Sequence, residues 1–225
     1  QDAIDMMKEY AIWDEAPASI REHLLEGLAH PEMETPKKLT NTRAYIHSVA
    51  DPRSTCVAAA NKAKELGYTP YVLSTALEGD ACNLGIFFSG IANEVTKTGR
   101  PFAAPCAIIS AGETTVTIHG SCGAGGPNQE TALGYPLKLH AQSPTVCLSM
   151  DSDGTDGPSD IAGGISDNQT FERACELGLN LWEMLGRHDS STALLQLNDA
   201  LITGHTGTNI MNFRVVVIEK KENES

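Results

Sequence analysis

Ser149-Met-Asp-Ser-Asp-Gly-Thr-Asp-Gly-Pro-Ser-Asp160 decides how this chain reads. The apolar run just before it, residues 145–148, has the character of a buried strand. Asp151, Asp153, Asp156 and Asp160 should therefore emerge at the carboxyl end of a sheet, where open α/β sheets bind their ligands. Gly154, Gly157 and Pro158 force turns among the acids and fold the carboxylates toward one point. Such a loop suits a cation or the orientation of hydroxyls. An EF-hand is excluded: with Asp151 at position one, the required glycine falls on Asp156 and the bidentate glutamate on Ala162.

Outward from this loop, small residues gather twice more. Gly120-Ser-Cys-Gly-Ala-Gly-Gly-Pro-Asn-Gln-Glu130 holds four glycines in its first seven residues, and Pro127 suits the first turn of a helix ended near Pro136. Unpaired N–H groups at such a helix start favour an anion, which makes Gly125, Gly126, Asn128 and Gln129 phosphate candidates. No Gly-Lys-Ser/Thr ends the loop and Asn128 stands where a dinucleotide fingerprint needs its third glycine, so neither phosphate-loop motif fits. The second gathering is Gly204-His-Thr-Gly-Thr-Asn209, where Thr206, Thr208 and Asn209 can line the same cleft; His205 alone reads as a solvated loop histidine. Gly112 and Glu113 form a turn after a strand at 106–110 and are counted with the nucleotide- and phosphate-binding candidates, Glu113 being open to either reading, ligand or polar turn residue.

The stretches between these loops alternate in period. Asp2 is expected to cap a first helix and Pro17 to open a second, with Ile20, Leu24 and Leu28 on one face. Residues 30–42 read as a linker. Strands are expected at 45–49, 71–74, 106–110, 114–119, 201–203 and 213–218. Helices are expected from Asp51-Pro52 to Gly67, from about Glu78 to Thr98 with Leu84, Phe87, Phe88, Ile91 and Val95 buried, and from Asp167 to Leu177. This rhythm predicts an α/β fold with a mainly parallel or mixed sheet flanked by helices.

In 225 residues, 16 Lys plus Arg face 29 Asp plus Glu, a net charge of −13, which argues against wrapping nucleic acid or adhering to an anionic membrane. No apolar run approaches the ~18 residues of a membrane span. Cys56, Cys82, Cys106, Cys122, Cys147 and Cys175 are scattered without C-x-x-C spacing, as expected of buried free thiols in a reducing cytoplasm. The chain opens at Gln1 within helical pattern, so further sequence upstream is expected.

Taken in order, Ser110-Ala-Gly-Glu-Thr-Thr-Val116, Gly125-Gly-Pro-Asn-Gln-Glu130, the aspartate loop 151–160 and Gly207-Thr-Asn209 resemble the motifs of the MOFRL-type glycerate 2-kinases, once often labelled hydroxypyruvate reductases. Leu77-Glu-Gly79 resembles the stretch that precedes them. The resemblance implies an enzyme that moves the γ-phosphoryl group of ATP to the 2-hydroxyl of D-glycerate, with Mg²⁺, in a cleft between two domains. It further implies that residues 1–40 are the trailing helices of a Rossmann-like N-terminal domain that is mostly absent here. Residues 41–104 would then be a βαβα segment, 105–221 a MOFRL-like domain, and the segment alone would be inactive. Within that frame Asp153 and Asp156 are the catalytic candidates and Asp151 and Asp153 the magnesium candidates. Two arginines common in the family's glycine loop are replaced by Ala124 and Pro127. A hydroxypyruvate reductase and a non-catalytic domain binding a phosphorylated metabolite are the alternative readings. The oligomeric state, homo-oligomer included, is left open.

Overall fold

The computed structural model describes residues 1–35, 37, 38 and 42–220. They divide into two compact units, Gln1–His47 and Ser48–Ser225.

The first unit holds α1 (Asp2–Glu9), α2 (Ala18–Ala29) and a 3₁₀ turn at Pro31–Met33. Asp2 lies inside the first turn of α1 rather than capping it; Gln1 precedes the helix and donates from Nε2 to Asp5 at 2.7 Å. Pro17 does precede α2, as its fixed φ favours. Pro36 and residues 39–41 of the expected linker lie outside the described residues. The strand expected at 45–49 does not form: Tyr45, Ile46 and Val49 are 81%, 94% and 99% exposed, and no ladder partner pairs with them among the described residues. β-branched character alone does not make a strand without a neighbour to bond.

In the second unit, α3 (Pro52–Glu65) starts on a capping box in which Asp51 accepts the Ser54 N–H, and it stops before Gly67, whose φ is +90°. The chain continues through β1 (Thr69–Ser74), β2 (Gly79–Asp80), α4 (Ala81–Thr98), β3 (Cys106–Gly112), β4 (Thr114–Thr115), α5 (Pro127–Gly134) and a 3₁₀ turn at Tyr135–Lys138. Then follow β5 (Thr145–Asp151), β6 (Gly163–Asp167), α6 (Thr170–Glu176), α7 (Leu181–Gly186), α8 (Ser190–Leu197), β7 (Ala200–Leu201) and β8 (Asn212–Ile218). The fold is α/β with a mixed sheet in the order β1-β3-β8-β5-β6-β7, beside a two-stranded parallel pair of β2 and β4. In the large sheet β1 and β3 run parallel and the other pairings are antiparallel, so the mixed alternative holds and the mainly parallel one does not.

The last strand is inserted between β3 and β5, and this insertion organises the core. Every residue of β3 is buried because both faces are covered. On one face Cys106 and Ile108 pack with Phe88, Ala92, Val95, Tyr135, Val216 and Ile218; on the other Ile109 and Ala111 pack with Cys56 of α3. A further cluster joins α5 to α7 and α8 through Leu133, Leu181, Met184 and Leu194. Phe87, expected in the core, is 53% exposed, while Phe88 is 1% exposed. Leu84, Phe88, Ile91 and Val95 share one arc at 3.6 residues per turn, and Phe87 falls just outside its edge, about 40° beyond Ile91 and about 100° from Phe88. The strand expected at 114–119 stops at Thr115, since β2 offers it only Gly79 and Asp80. Asp167 ends β6, a strand the sequence did not announce, and accepts the Gln169 N–H at 2.8 Å ahead of α6.

Candidate functional site

Gly112, Asn212 and Asp151 stand in one row across β3, β8 and β5. Because β8 is antiparallel to both neighbours, the loop after β3, the loop after β5 and the loop before β8 all leave the sheet at the same end. The motifs that are distant in sequence therefore converge.

The aspartate loop is folded by its own side chains. Asp151 Oδ1 accepts the Asp153 N–H at 3.1 Å, and Asp153 Oδ1 accepts the N–H and the hydroxyl of Thr155, both at 2.9 Å. These are Asx turns, the local habit of aspartate that makes it common in loops. The same donors pull the Asp153 carboxyl below its ordinary range, led by the Thr155 amide. Gly154 has a φ of +96°, and a Cβ there would lie 2.0 Å from the Gly204 carbonyl, so the loop and the 204–209 segment touch backbone to backbone. Thr206 donates its N–H to the Asp153 carbonyl at 3.1 Å and its hydroxyl to the Ser152 carbonyl at 2.5 Å. Asn209 Nδ2 reaches Asp153 Oδ2 at 3.2 Å, and Thr208 accepts from the Thr206 hydroxyl through its carbonyl at 3.2 Å. Asp153, Thr206, Thr208 and Asn209 are thus brought together as one polar surface. Asp160 is exposed at the loop's far end.

Asp156 turns the other way. It is 1% exposed, and its carboxylate accepts the backbone N–H of Asn128 at 3.1 Å, that of Gln129 at 2.9 Å and Asn128 Nδ2 at 3.0 Å. It caps α5 from 28 residues away. The two helix-start amides considered for phosphate are held by this carboxylate. Gly126 permits the approach: a Cβ at that position would lie 2.4 Å from Asp156 Oδ2. Burial raises the Asp156 carboxyl despite these donors. Gln129 Nε2 also donates to the Asp156 carbonyl at 3.1 Å, and Gln129 Oε1 accepts from the Ser191 hydroxyl at 2.6 Å. Asn128 Nδ2 donates to Asn212 at 2.8 Å, and its Oδ1 accepts from Ser149 at 2.7 Å.

Arg214 is the residue that sequence reasoning missed. It sits at 0% exposure in the middle of β8, opposite Ser110 and Ser149, and donates to the Gly112 carbonyl at 3.2 Å and to the Thr114 hydroxyl at 2.6 Å. Burial pushes the guanidinium down to about 10, while the charges of Glu113, Asp156 and Asp151 oppose the shift. Glu113 is raised by burial and next by Asp151, with Arg214 opposing; Asp151 is raised mainly by burial. A single arginine inside Phe213-Arg-Val-Val-Val-Ile218 was the available signal, since a charge in a buried strand requires partners.

The glycine loop is fastened at two points, to the end of α7 and to the first turn of α8. Gly123 donates its N–H to the Arg187 carbonyl at 2.8 Å, and Ser191 donates to the Ala124 carbonyl at 2.9 Å. Glu130, 3% exposed and raised by burial, takes His188 Nδ1 at 2.8 Å and ties the turn between α7 and α8 to α5. All six cysteines are free, and among the described residues no helix is long and apolar enough to cross a membrane.

Residues 106–212 match the MOFRL family. A glycerate 2-kinase of Pyrococcus horikoshii is 38% identical over 98% of this chain and 50% of its own length. A D-glycerate 2-kinase of Thermotoga maritima is 35% identical over 97% of this chain and 49% of its own. A crystal structure of glycerate kinase from Thermotoga maritima superposes with a TM-score of 0.78 at 35% identity, covering 96% of this chain and 50% of that one. The chain spans about half the length of the relatives it matches. Residues 106–212 therefore belong to the MOFRL family, within a chain that is a relative of the glycerate 2-kinases along nearly all of its length.

Proposed function

We propose that this chain supplies the aspartate-loop and glycine-loop part of a kinase that transfers the terminal phosphoryl group of ATP to the 2-hydroxyl of D-glycerate, the full activity belonging to a protein about twice this length. The observation that carries the reading is Asp153, held by Thr155 on one side and by Asn209 on the other, at the sheet end where the three loops meet. Phosphoryl transfer asks the protein mainly for positioning and charge neutralisation. The Thr155 amide holds the Asp153 carboxyl below its ordinary range, and the carboxylate can accept the hydrogen bond of the substrate hydroxyl. Thr206, Thr208 and Asn209 orient the small hydroxy acid beside it.

Magnesium fits this donor set. It takes oxygen ligands and is commonly held by one or two carboxylates plus substrate phosphates. Asp151 and Asp153 would offer two carboxylates, with substrate phosphates completing the set, since among the described residues no group of three or more His, Cys, Asp or Glu side chains is placed to hold a metal by itself. Bound there, the ion would neutralise charge on phosphate oxygens. Asp156 acts as a positioning residue, since both its oxygens serve α5. With those amides engaged, Gly125, Gly126, Asn128 and Gln129 shape the loop that lies against the phosphates, and Gly112 and Glu113 close the acidic side of the cleft.

The full-length protein, given D-glycerate, ATP and Mg²⁺, should yield ADP and 2-phosphoglycerate, read by phosphorus NMR. Absence of phosphoglycerate, or oxidation of NADH with hydroxypyruvate in its place, would remove the reading.

A further inference from the structure

His205 stands between two fixed points. On one side the Gly204 carbonyl lies against Gly154, where a Cβ would come within 2.0 Å of it; on the other the Thr206 N–H donates to the Asp153 carbonyl at 3.1 Å. Gly204 and Gly207 take φ of +66° and +77°, the left-handed turns that fold this loop onto the aspartate loop, while His205 itself has no such backbone. The imidazole is thus delivered beside Asp153 by the chain on both sides, and it stays exposed. Asp153 feels it: the Thr155 amide is the main cause of the lowered carboxyl, and the charge of His205 acts in the same direction. From this placement we infer that His205 recognises the carboxylate of a small 2-hydroxy acid whose hydroxyl lies on Asp153. The inference rests on the phosphoryl-transfer reading of the site and names the group that selects an acidic substrate there.

The chemistry of the ligand fixes where its charge must fall. In a 2-hydroxy acid the carboxyl carbon is bonded to the carbon that bears the hydroxyl, so a hydroxyl held by Asp153 brings the carboxylate within reach of a side chain on the adjoining loop. There it meets the carboxyl groups of Asp151, Asp153 and Glu113, in a chain of net charge −13, and it needs a donor of opposite charge close by. Arg214, whose charge also reaches this end of the sheet, is buried, and its hydrogen bonds go to Gly112 and Thr114. An exposed imidazole suits the task. It offers one N–H when neutral and two when charged, and a hydrogen bond from a charged donor to a carboxylate is roughly twice as strong as a neutral one. The solvated loop histidine of the sequence therefore acquires a partner once the two loops are folded together.

The test compares D-glycerate with D-glyceramide, its neutral amide, as ligands of the full-length protein with Mg²⁺ present and ATP absent, read by titration calorimetry or ligand-detected NMR. His205→Leu should weaken D-glycerate binding about tenfold, the effect of losing a charge-assisted hydrogen bond, and leave D-glyceramide binding within about twofold. His205→Arg, which returns a charged donor, should recover most of the D-glycerate affinity. Position 205 is exposed and free of a left-handed φ, so both variants should fold as the wild type does, which equal melting temperatures would show. Unchanged D-glycerate affinity in His205→Leu, or the same loss for the acid and the amide, overturns the inference. Failure of the kinase reading would look different: D-glycerate binding that depends on His205, with no phosphoglycerate formed when ATP is added.

Discussion

Asn209 donates from Nδ2 to Asp153 Oδ2 at 3.2 Å, joining two loops that are 56 residues apart in the chain. This contact ties the aspartate loop to the threonine-bearing 204–209 loop. Asp153 has its other oxygen on Thr155, so the carboxylate is held at both ends. Asp153→Asn should reduce phosphorylation of D-glycerate by about 10²–10⁴-fold in the full-length protein, the range for a positioned acid–base or charge-stabilising group. The melting temperature should move little, because the side chain is partly exposed and its bonds to Thr155 are local, the Asn209 contact being the one long-range tie. Steady-state rates across a magnesium titration check this; an unchanged rate and magnesium dependence would remove Asp153 from the site.

Asp156 should instead matter for stability. Asp156→Ala leaves the Asn128 and Gln129 amides without an acceptor in a buried place, a loss of about 2–4 kcal/mol from the missing cap and the stranded donors. Gly126→Ala presses a methyl group on the same carboxylate and should cost about 1–3 kcal/mol by overpacking. The two substitutions should not add, since removing the carboxylate relieves part of the clash. Urea unfolding of the four proteins in the double-mutant cycle measures the coupling.

Replacing Arg214 exposes the electrostatic design. Arg214→Met removes the cation facing Glu113, Asp151 and Asp156 and two hydrogen bonds at the end of β3, with an expected loss of about 3–5 kcal/mol. The sign of the pH effect follows. Glu113 is already raised by burial and by Asp151, and Arg214 opposes that rise. Without the guanidinium, Glu113 binds its proton more tightly, so the acid limb of the activity profile moves to higher pH. Arg214→Lys, which keeps the charge and loses the fork, should shift that limb less. Rate measurements between about pH 4 and 8 separate the two, the window above the ordinary glutamate value.

The cysteines should divide by burial. Cys122 and Cys175 are exposed, whereas burial pushes Cys82 and Cys106 up to about 11 and Cys147 up to about 12. Since the thiolate is the reactive form, alkylation of the folded protein at neutral pH should label Cys122 and Cys175 rapidly and Cys106 and Cys147 only on unfolding. Mass spectrometry of the time course checks this; fast labelling of Cys147 would contradict the packing of β5 under α5.

The sequence by itself determined the local structure and the inventory of the site. Asp51-Pro52 and Gly67 mark the ends of α3, Pro127 the start of α5 and Pro136 its stop, because caps and proline act through neighbouring backbone groups. The aspartate, glycine and threonine loops were likewise readable, since turn chemistry needs only a few adjacent residues. Strand order was not. Only the tertiary structure places β8 between β3 and β5, for the register that sets Asn212 between Gly112 and Asp151 comes from ladder partners far apart in the chain, Cys106 with Ile218 on one side and Thr145 with Ile218 on the other, with no local periodicity to announce them. Nor could spacing tell that Asp153 faces the 206–209 loop while Asp156, three residues on, is buried under α5. That division arises because turns at Gly154 and Gly157 aim successive carboxylates at different partners, and a buried carboxylate is stable only where donors from another part of the chain meet it.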